Sequence, residues 1–357
     1  MGRRTIRYAS GGPAIGGALL PACTAFALAA CASTVPSTQA VPCRQPRFVI
    51  LTADDYGASP NIDEGIEFAL SRASITAVSA LMNFPSSYAG LRALADRYPS
   101  AGIGVHFNLT TGSPLLDPRR VPSLVDREGN FLAVDVLLSR IRTVSPAELE
   151  LELRAQARAL EELGIRIDHL SDHNGVLSLY PPFFEVFCRL AGELGVPVRT
   201  PLTASVAYPR LFPDAGTVRK GKEIARHVAA RNLFGALGLL PYANLASLED
   251  RAAQLDELGI PHPDILIDYL YGSPSPTTAM HVLRNLPDGI SEIVVHLGTS
   301  RRSDSYPPGL DVAYFPLREQ ELALVTSGYL GEYAASLGIR AIGFAEAARM
   351  LARKASP

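Results

Sequence analysis

What this chain of 357 residues has little of is charge of one sign: 33 Lys and Arg face 35 Asp and Glu, a formal net charge of -2, and no run of five like charges occurs. Without a basic field nothing draws in a polyanion, so nucleic acid is not expected as a partner. Cysteine is scarce too. Of the four, Cys23 and Cys31 fall in the first part of the chain, and Cys43 and Cys188 alone make no disulfide framework. A Cys43–Cys188 bridge is open to an exported protein, but a free, buried Cys188 is the expectation. Past the N-terminal segment no charge-free apolar run reaches the about twenty residues a membrane-crossing helix needs, and no internal repeat is found. What is present, 47% apolar and 19% charged residues, suits a sizeable core and one large domain or two small ones.

The first thirty residues read as an export signal. Arg3, Arg4 and Arg7 give a positive start, and the stretch from Pro13 to Ala30 is small or apolar without a charge. Leu28-Ala29-Ala30-Cys31 resembles the lipobox of bacterial lipoproteins, whose Cys is acylated after cleavage; an ordinary signal peptide cut nearby is the plainer alternative. Residues 1–30 are therefore expected as a lipoprotein-type signal peptide and 31–46, rich in Ser, Thr, Pro, Gln and Ala, as a flexible tether. The expected location is the bacterial cell envelope or periplasm, with membrane contact only through lipid on Cys31.

Folded sequence begins at Arg47. Arg47–Thr52 is a short, continuously apolar run that ends in Ala53-Asp54-Asp55-Tyr56-Gly57, the pattern of a strand covered on both faces. Ile62, Ile66 and Leu70 then mark a helix, with Asp63 and Glu64 at its positive end. Strand-like Ala77–Met82, Gly102–Phe107, Ile167–Leu170 and Glu292–His296 are separated by helical stretches at Tyr88–Tyr98, Pro146–Leu163 and Pro181–Leu194, and Arg318–Leu337 is largely helical. Alternation of this kind predicts a parallel sheet in an α/β fold, here a single (β/α) barrel, distorted, over 47–354. The less regular stretch 208–271, with a basic patch at Arg219, Lys220, Lys222 and Arg226, is expected as a lid or insertion.

Polar residues gather where the strands end: Asp54 and Asp55, His106, His169 and His173, and His296. In parallel α/β folds the loops at the C-terminal strand ends aim several side chains at one cavity. Paired Asp residues also cap helices and make turns, and a single His is often a satisfied core residue. A carboxylate at the edge of an apolar core, however, costs several kcal/mol unless paired or metal-bound. One Asp with two imidazoles gives three protein ligands and leaves positions open for water and substrate; of His169 and His173 only one need take part.

With those residues in view, the chain resembles the YdjC-like carbohydrate deacetylase family, which includes chitooligosaccharide deacetylases. Thr52–Gly57 is similar to its "ADDFG" strand end, Gly104–Thr110 to "GLHLNLT", Asp168–Gly175 to "THLDSHxx" and Glu292–Gly298 to "ELMCHPG", in order, over roughly Arg47 to Leu351. The resemblance implies Asp55, His106 and His173 as ligands of one divalent ion, Asp54 as the general base and His296 as the acid. It departs at Ser171, where the family has Asp, at Gly175, often His, and at Leu297, usually Pro. All three ligand positions are intact, so the departures bear on what surrounds the ligands and on substrate choice.

The implied activity is a metal-dependent hydrolase that removes acetyl groups from N-acetylated mono- or oligosaccharides. An O-acetyl esterase or other amidase using the same site is the nearest alternative, and a catalytically idle glycan-binding envelope lipoprotein the one from another class. The donor set suits Zn²⁺, and the resemblance leaves Mg²⁺ open. Tyr56, Phe107, Tyr180 and Tyr306 are candidates for a sugar platform or for packing. Arg301, Arg302 and Asp304 could grip a substrate or form a solvated loop.

Overall fold

The computed structural model describes residues 46–213, 215–300 and 306–355. The expected signal peptide (1–30), the tether short of Pro46, Cys31 with its proposed lipid, and Arg301, Arg302 and Asp304 lie outside the described residues. Among those described, no helix is long and apolar enough to cross a membrane.

Seven strands form one sheet: β1 (Arg47–Tyr56), β2 (Ala77–Ala80), β3 (Gly102–Phe107), β4 (Leu170–Asp172), β5 (Ile265–Ile267), β6 (Gly289–Val295) and β7 (Ile339–Ala341). Every pairing is parallel, in the order β4-β3-β2-β1-β6-β5. The central strand β1 pairs with β6 from Arg47 to Ala53. Along its other side the short β7 takes Arg47–Val49 and β2 takes Thr52 onward. β7 thus wedges into the start of the β1–β2 seam.

The two edges, β4 and β5, are joined by the irregular segment 197–203. Leu170 N donates to Pro197 O at 3.0 Å, Arg199 N to Leu170 O at 2.9 Å, and Leu266 N to Leu202 O at 2.9 Å. Isolated parallel bridges at Leu170–Val198 and Thr203–Leu266 continue the link. The expected distorted (β/α) barrel is what forms, its regular ladders covering part of the circumference and irregular backbone the rest.

Local sequence explains the helices around it. Ser59 caps the helix Pro60–Ser71 by accepting from Ile62 N, and Pro60 supplies a φ already suited to the first turn. Ser145 and Pro146 open Pro146–Glu162 in the same way. The helix Pro181–Leu194 ends at Gly195 in the left-handed conformation, φ 64°. It buries Cys188, which is free as expected, and burial pushes its thiol up to about 12.

Several boundaries differ by a few residues from the sequence reading, β1 reaching Tyr56 instead of Thr52 and β6 starting at Gly289 instead of Glu292, and two further differences bear on how the barrel closes. β4 runs Leu170–Asp172 instead of Ile167–Leu170, although ladder-type hydrogen bonds already start at Asp168 N to Ile103 O. The stretch 208–271 contains the helices Gly216–Arg231, Leu233–Leu239 and Leu245–Glu257, but also β5, which belongs to the sheet and not to an insertion. A three-residue strand following the turn-rich Ile260–Asp264 is too short to show a period.

Candidate metal centre

Asp54 and Asp55 lie in the last three residues of β1, and both face the same cavity. In a regular strand neighbouring side chains point to opposite faces. Here the β1–β2 register shifts between Ala53 and Tyr56, and Asp55 adopts a left-handed φ of 77°. Asp tolerates that region better than most residues, at a cost of about 1–3 kcal/mol. The bulge is what turns both carboxylates inward.

His106 comes from the interior face of β3, and His173 from the turn after β4, where Asn174 (φ 60°) and Gly175 (φ 65°) are both left-handed. Asp55, His106 and His173 bring one ligand-capable atom each to within 4.8 Å of one another. Asp55 Oδ1 lies 3.1 Å from His173 Nδ1 and 3.6 Å from His106 Nε2, yet it is buried without a hydrogen bond. An orphaned carboxylate oxygen between two imidazole nitrogens is the arrangement a divalent cation completes.

Each carboxylate has its own guanidinium. Arg199 Nη1 and Nη2 donate to Asp54 at 2.8 Å each, and Nε and Nη2 also hold Glu292 at 3.1 and 2.8 Å. Arg318 Nη2 donates to Asp55 Oδ2 at 2.6 Å. Burial by itself would raise Asp54, but Arg199, then His106, bring it well below the ordinary carboxylate range. Burial likewise opposes ionisation of Asp55, and Arg318 and His173 overcome it. Three carboxylates (Asp54, Asp55 and Glu292) therefore meet two guanidiniums, a charge balance that favours a cation at the open position.

His106 is pushed down to about 3 by burial, opposed in part by Asp54, so its ring is neutral and a lone pair is available to a metal. His296 follows β6 and reaches the same cavity; burial holds it at about 4 despite the pull of Asp55. Its backbone N–H donates to Glu321 at 2.7 Å, its Nδ1 has no hydrogen-bond partner, and Tyr271 packs edge-on 5.3 Å away.

The cavity measures about 610 Å³. Asp268, just past β5, lines it along with the phenol rings of Tyr271 and Tyr314, which stack 4.3 Å apart. Lys220 from the helix Gly216–Arg231 pairs across to Asp311 at 3.2 Å, so the stretch after residue 208 does contribute a wall.

All five expected site residues thus lie on one cavity. His169 does not: it is fully buried, stacked on Phe344 at 4.1 Å. Of the two readings offered for the four aromatic residues, packing is what the described residues show. Tyr56 and Phe107 are packed in the core, Tyr180 packs on Phe183 and Tyr242, and Tyr306 packs on Phe315. Sequence reading passed over Arg199, Arg318, Tyr271, Tyr314 and Asp268. Arg199 and Glu292 did carry a signal, a charge ending or interrupting a buried apolar run; Arg318 sits on a helix where an arginine stands out from nothing.

A distorted (β/α) barrel with an Asp-His-His cluster at the C-terminal ends of its strands defines the class of protein. Its particular family follows from comparison: the YdjC-like protein family matches residues 48–336, and the chain belongs to it. A carbohydrate deacetylase of Brevibacillus brevis is 35% identical over 178 residues, 50% of this chain and 64% of that protein, and so is matched over slightly less than two thirds of its length. One from Geobacillus stearothermophilus is 35% identical over 180 residues, 48% of this chain and 70% of the relative. A solved structure from Enterococcus faecalis, provisionally described as a cellobiose-phosphate cleavage protein, superposes with a TM-score of 0.63 over 84% of this chain and 98% of its own, at 21% identity. It shares the fold.

Proposed function

We propose that this protein is a metal-dependent N-deacetylase of amino sugars, exported and held at the cell envelope through lipid on Cys31. One observation carries the reading: the orphaned Oδ1 of Asp55 between His106 and His173, with Asp54 beside it. The family and the deacetylase names of its relatives supply the reaction class. Zn²⁺ is the ion the Asp-His-His set suits best.

A divalent ion held by Asp55, His106 and His173 would polarise the acetyl carbonyl and acidify water. The remaining chemistry falls to the protein. Asp54 takes the proton of the attacking water, and Arg199, donating to both of its oxygens, fixes the plane of the carboxylate. His296, neutral at rest, takes up the proton that Asp54 has removed from water and passes it to the departing amine, so the proton lost by water ends on the leaving nitrogen. His296→Ala should keep its metal while turnover falls by roughly 10²-fold or more, the order that a positioned acid contributes. Elemental analysis beside acetate release reads both; normal turnover removes His296 from the reaction.

Sugar recognition is assigned to Asp268. Its Oδ2 accepts from Ser205 Oγ at 2.7 Å and Thr217 Oγ1 at 2.6 Å, while Oδ1 is buried and unpaired on the wall of the cavity. Burial raises its carboxyl. A sugar hydroxyl donating to Oδ1 would satisfy it. Asp268→Asn is expected to raise KM about tenfold with kcat little changed, the value of one hydrogen bond to a charged acceptor. A fall in kcat at constant KM would place Asp268 elsewhere in the reaction. The founding test is metal content and acetate release from N-acetylglucosamine oligomers. Stoichiometric metal without acetate release would turn the search to O-acetyl and other acyl substrates.

A further inference from the structure

On the side of His106 away from the cavity, the interior of the barrel holds a continuous file of polar side chains. His106 Nδ1 lies 2.8 Å from Ser171 Oγ, Ser171 Oγ lies 3.0 Å from Ser79 Oγ, Ser79 Oγ lies 3.1 Å from His169 Nε2, and His169 Nδ1 lies 3.3 Å from Asp168 Oδ2. His106, Ser171, Ser79 and His169 are all buried, and Asp168 at the far end keeps 17% of its side chain exposed. Sheet register builds this file. Ser79 on β2 pairs with Gly104 on β3, and His106 on β3 pairs with Ser171 on β4, so the four share one face.

Two glycines make room for it. A Cβ on Gly104 would sit 2.5 Å from the His169 ring, and one on Gly102 would sit 2.2 Å from Asp168 Oδ2. Phe344 closes the other side of the His169 ring.

We infer that this file is a tautomer lock: the Asp168 carboxylate, acting through His169, Ser79 and Ser171, keeps the proton of His106 on Nδ1 and so keeps Nε2 free to bind the metal. With both imidazoles neutral, one set of directions satisfies every link. Asp168 can only accept while ionised, so His169 Nδ1 donates to it and Nε2 must accept. Ser79 donates to that Nε2 and accepts from Ser171, and Ser171, its own proton spent on Ser79, must accept from His106 Nδ1. The other ring nitrogen of His106 is then a bare lone pair beside Asp55. A ligand's second nitrogen ordinarily meets its acceptor directly; in this chain a serine stands at that point, and the carboxylate is moved four side chains away. His169, which the metal centre leaves unused, is given its role.

The inference rests on the metal-site reading, and its test separates the two. In the purified full chain stripped of metal, long-range ¹H–¹⁵N spectra of the histidines should show His106 protonated on Nδ1, and Ser79→Ala should produce a mixture with the Nε2 form. Zn²⁺ affinity, read by chelator competition, should fall roughly tenfold in Ser79→Ala. In a Ser171→Asp background, where a carboxylate meets His106 directly, the same Ser79→Ala change should cost less than twofold. Equal losses in both backgrounds would mean that Ser79 acts through packing alone and would overturn the lock, as would an unaltered tautomer. Should Ser79→Ala not fold, Asp168→Asn at the half-open end is read by the same spectra, with the same mixture expected and an unchanged spectrum against the lock. A wild-type chain that binds no Zn²⁺ sinks the metal site, and the spectra of the metal-free protein still decide the lock.

Discussion

His106→Ala is expected to lose both stoichiometric metal and acetate release, the latter by about 10³-fold, the scale of several kcal/mol of lost transition-state stabilisation. The variant removes one of three ligands and leaves Asp55 Oδ1 facing a gap. It should nevertheless stay folded, because Asp54 and Asp55 keep their guanidiniums: Arg199 at 2.8 Å and Arg318 at 2.6 Å are untouched. Circular dichroism and a thermal midpoint measured with chelator present separate the two effects. A variant that is folded and metal-free but still releases acetate would show that the chemistry does not use this centre.

Arg199→Met has the larger consequence for the fold. Arg199 is buried and is the shared partner of Asp54 and Glu292, the latter fully buried. Methionine fills much of the volume but leaves two buried carboxylates facing each other without their cation, a loss of about 3–5 kcal/mol. The sign of its pH dependence follows from linkage. In the wild type Asp54 is depressed below its unfolded value of 3.8, so its contribution is present above that pH and is lost only as pH falls toward the folded value. In the variant burial acts unopposed by Arg199, the folded carboxyl rises above its unfolded value, and stability drains away as pH rises. The difference in unfolding free energy between variant and wild type should therefore be greater at pH 8 than at pH 5. Urea midpoints with chelator present measure it, and titrating groups remote from Arg199 are common to both proteins and cancel. A difference independent of pH would mean that Asp54 does not depend on Arg199 for its charge.

The turnover of Arg199→Met should collapse as well, since Asp54 loses the clamp that aims it. Lys at this position would restore charge but not the two parallel bonds to Asp54 together with the bond to Glu292, so Arg199→Lys should recover stability further than it recovers kcat.

What the sequence determined by itself was the part with short range. β1, β3 and the helix Pro181–Leu194 are legible because continuous apolarity and a 3.6-residue period are local signals, broken by Asp54 and His106 near the strand ends and by Gly195 after the helix. Asp54, Asp55, His106, His173 and His296 could be singled out because each is polar where a buried strand stops. Their convergence on one cavity, the inward turn of Asp55, and the choice of His173 over His169 were settled only by the tertiary structure. A left-handed φ at one aspartate and two consecutive left-handed residues after β4 leave no periodicity to read. The same holds for the charges that make the centre affordable. Arg199 and Arg318 lie 145 and 263 positions from the aspartates they hold, and only closure of the barrel brings them there. β5 and the segment 197–203 complete that closure with isolated bridges, where the backbone pairs but the side chains keep no pattern. Partners of a buried charge are fixed by the need to compensate it wherever the fold supplies a partner, and sequence distance does not enter that condition.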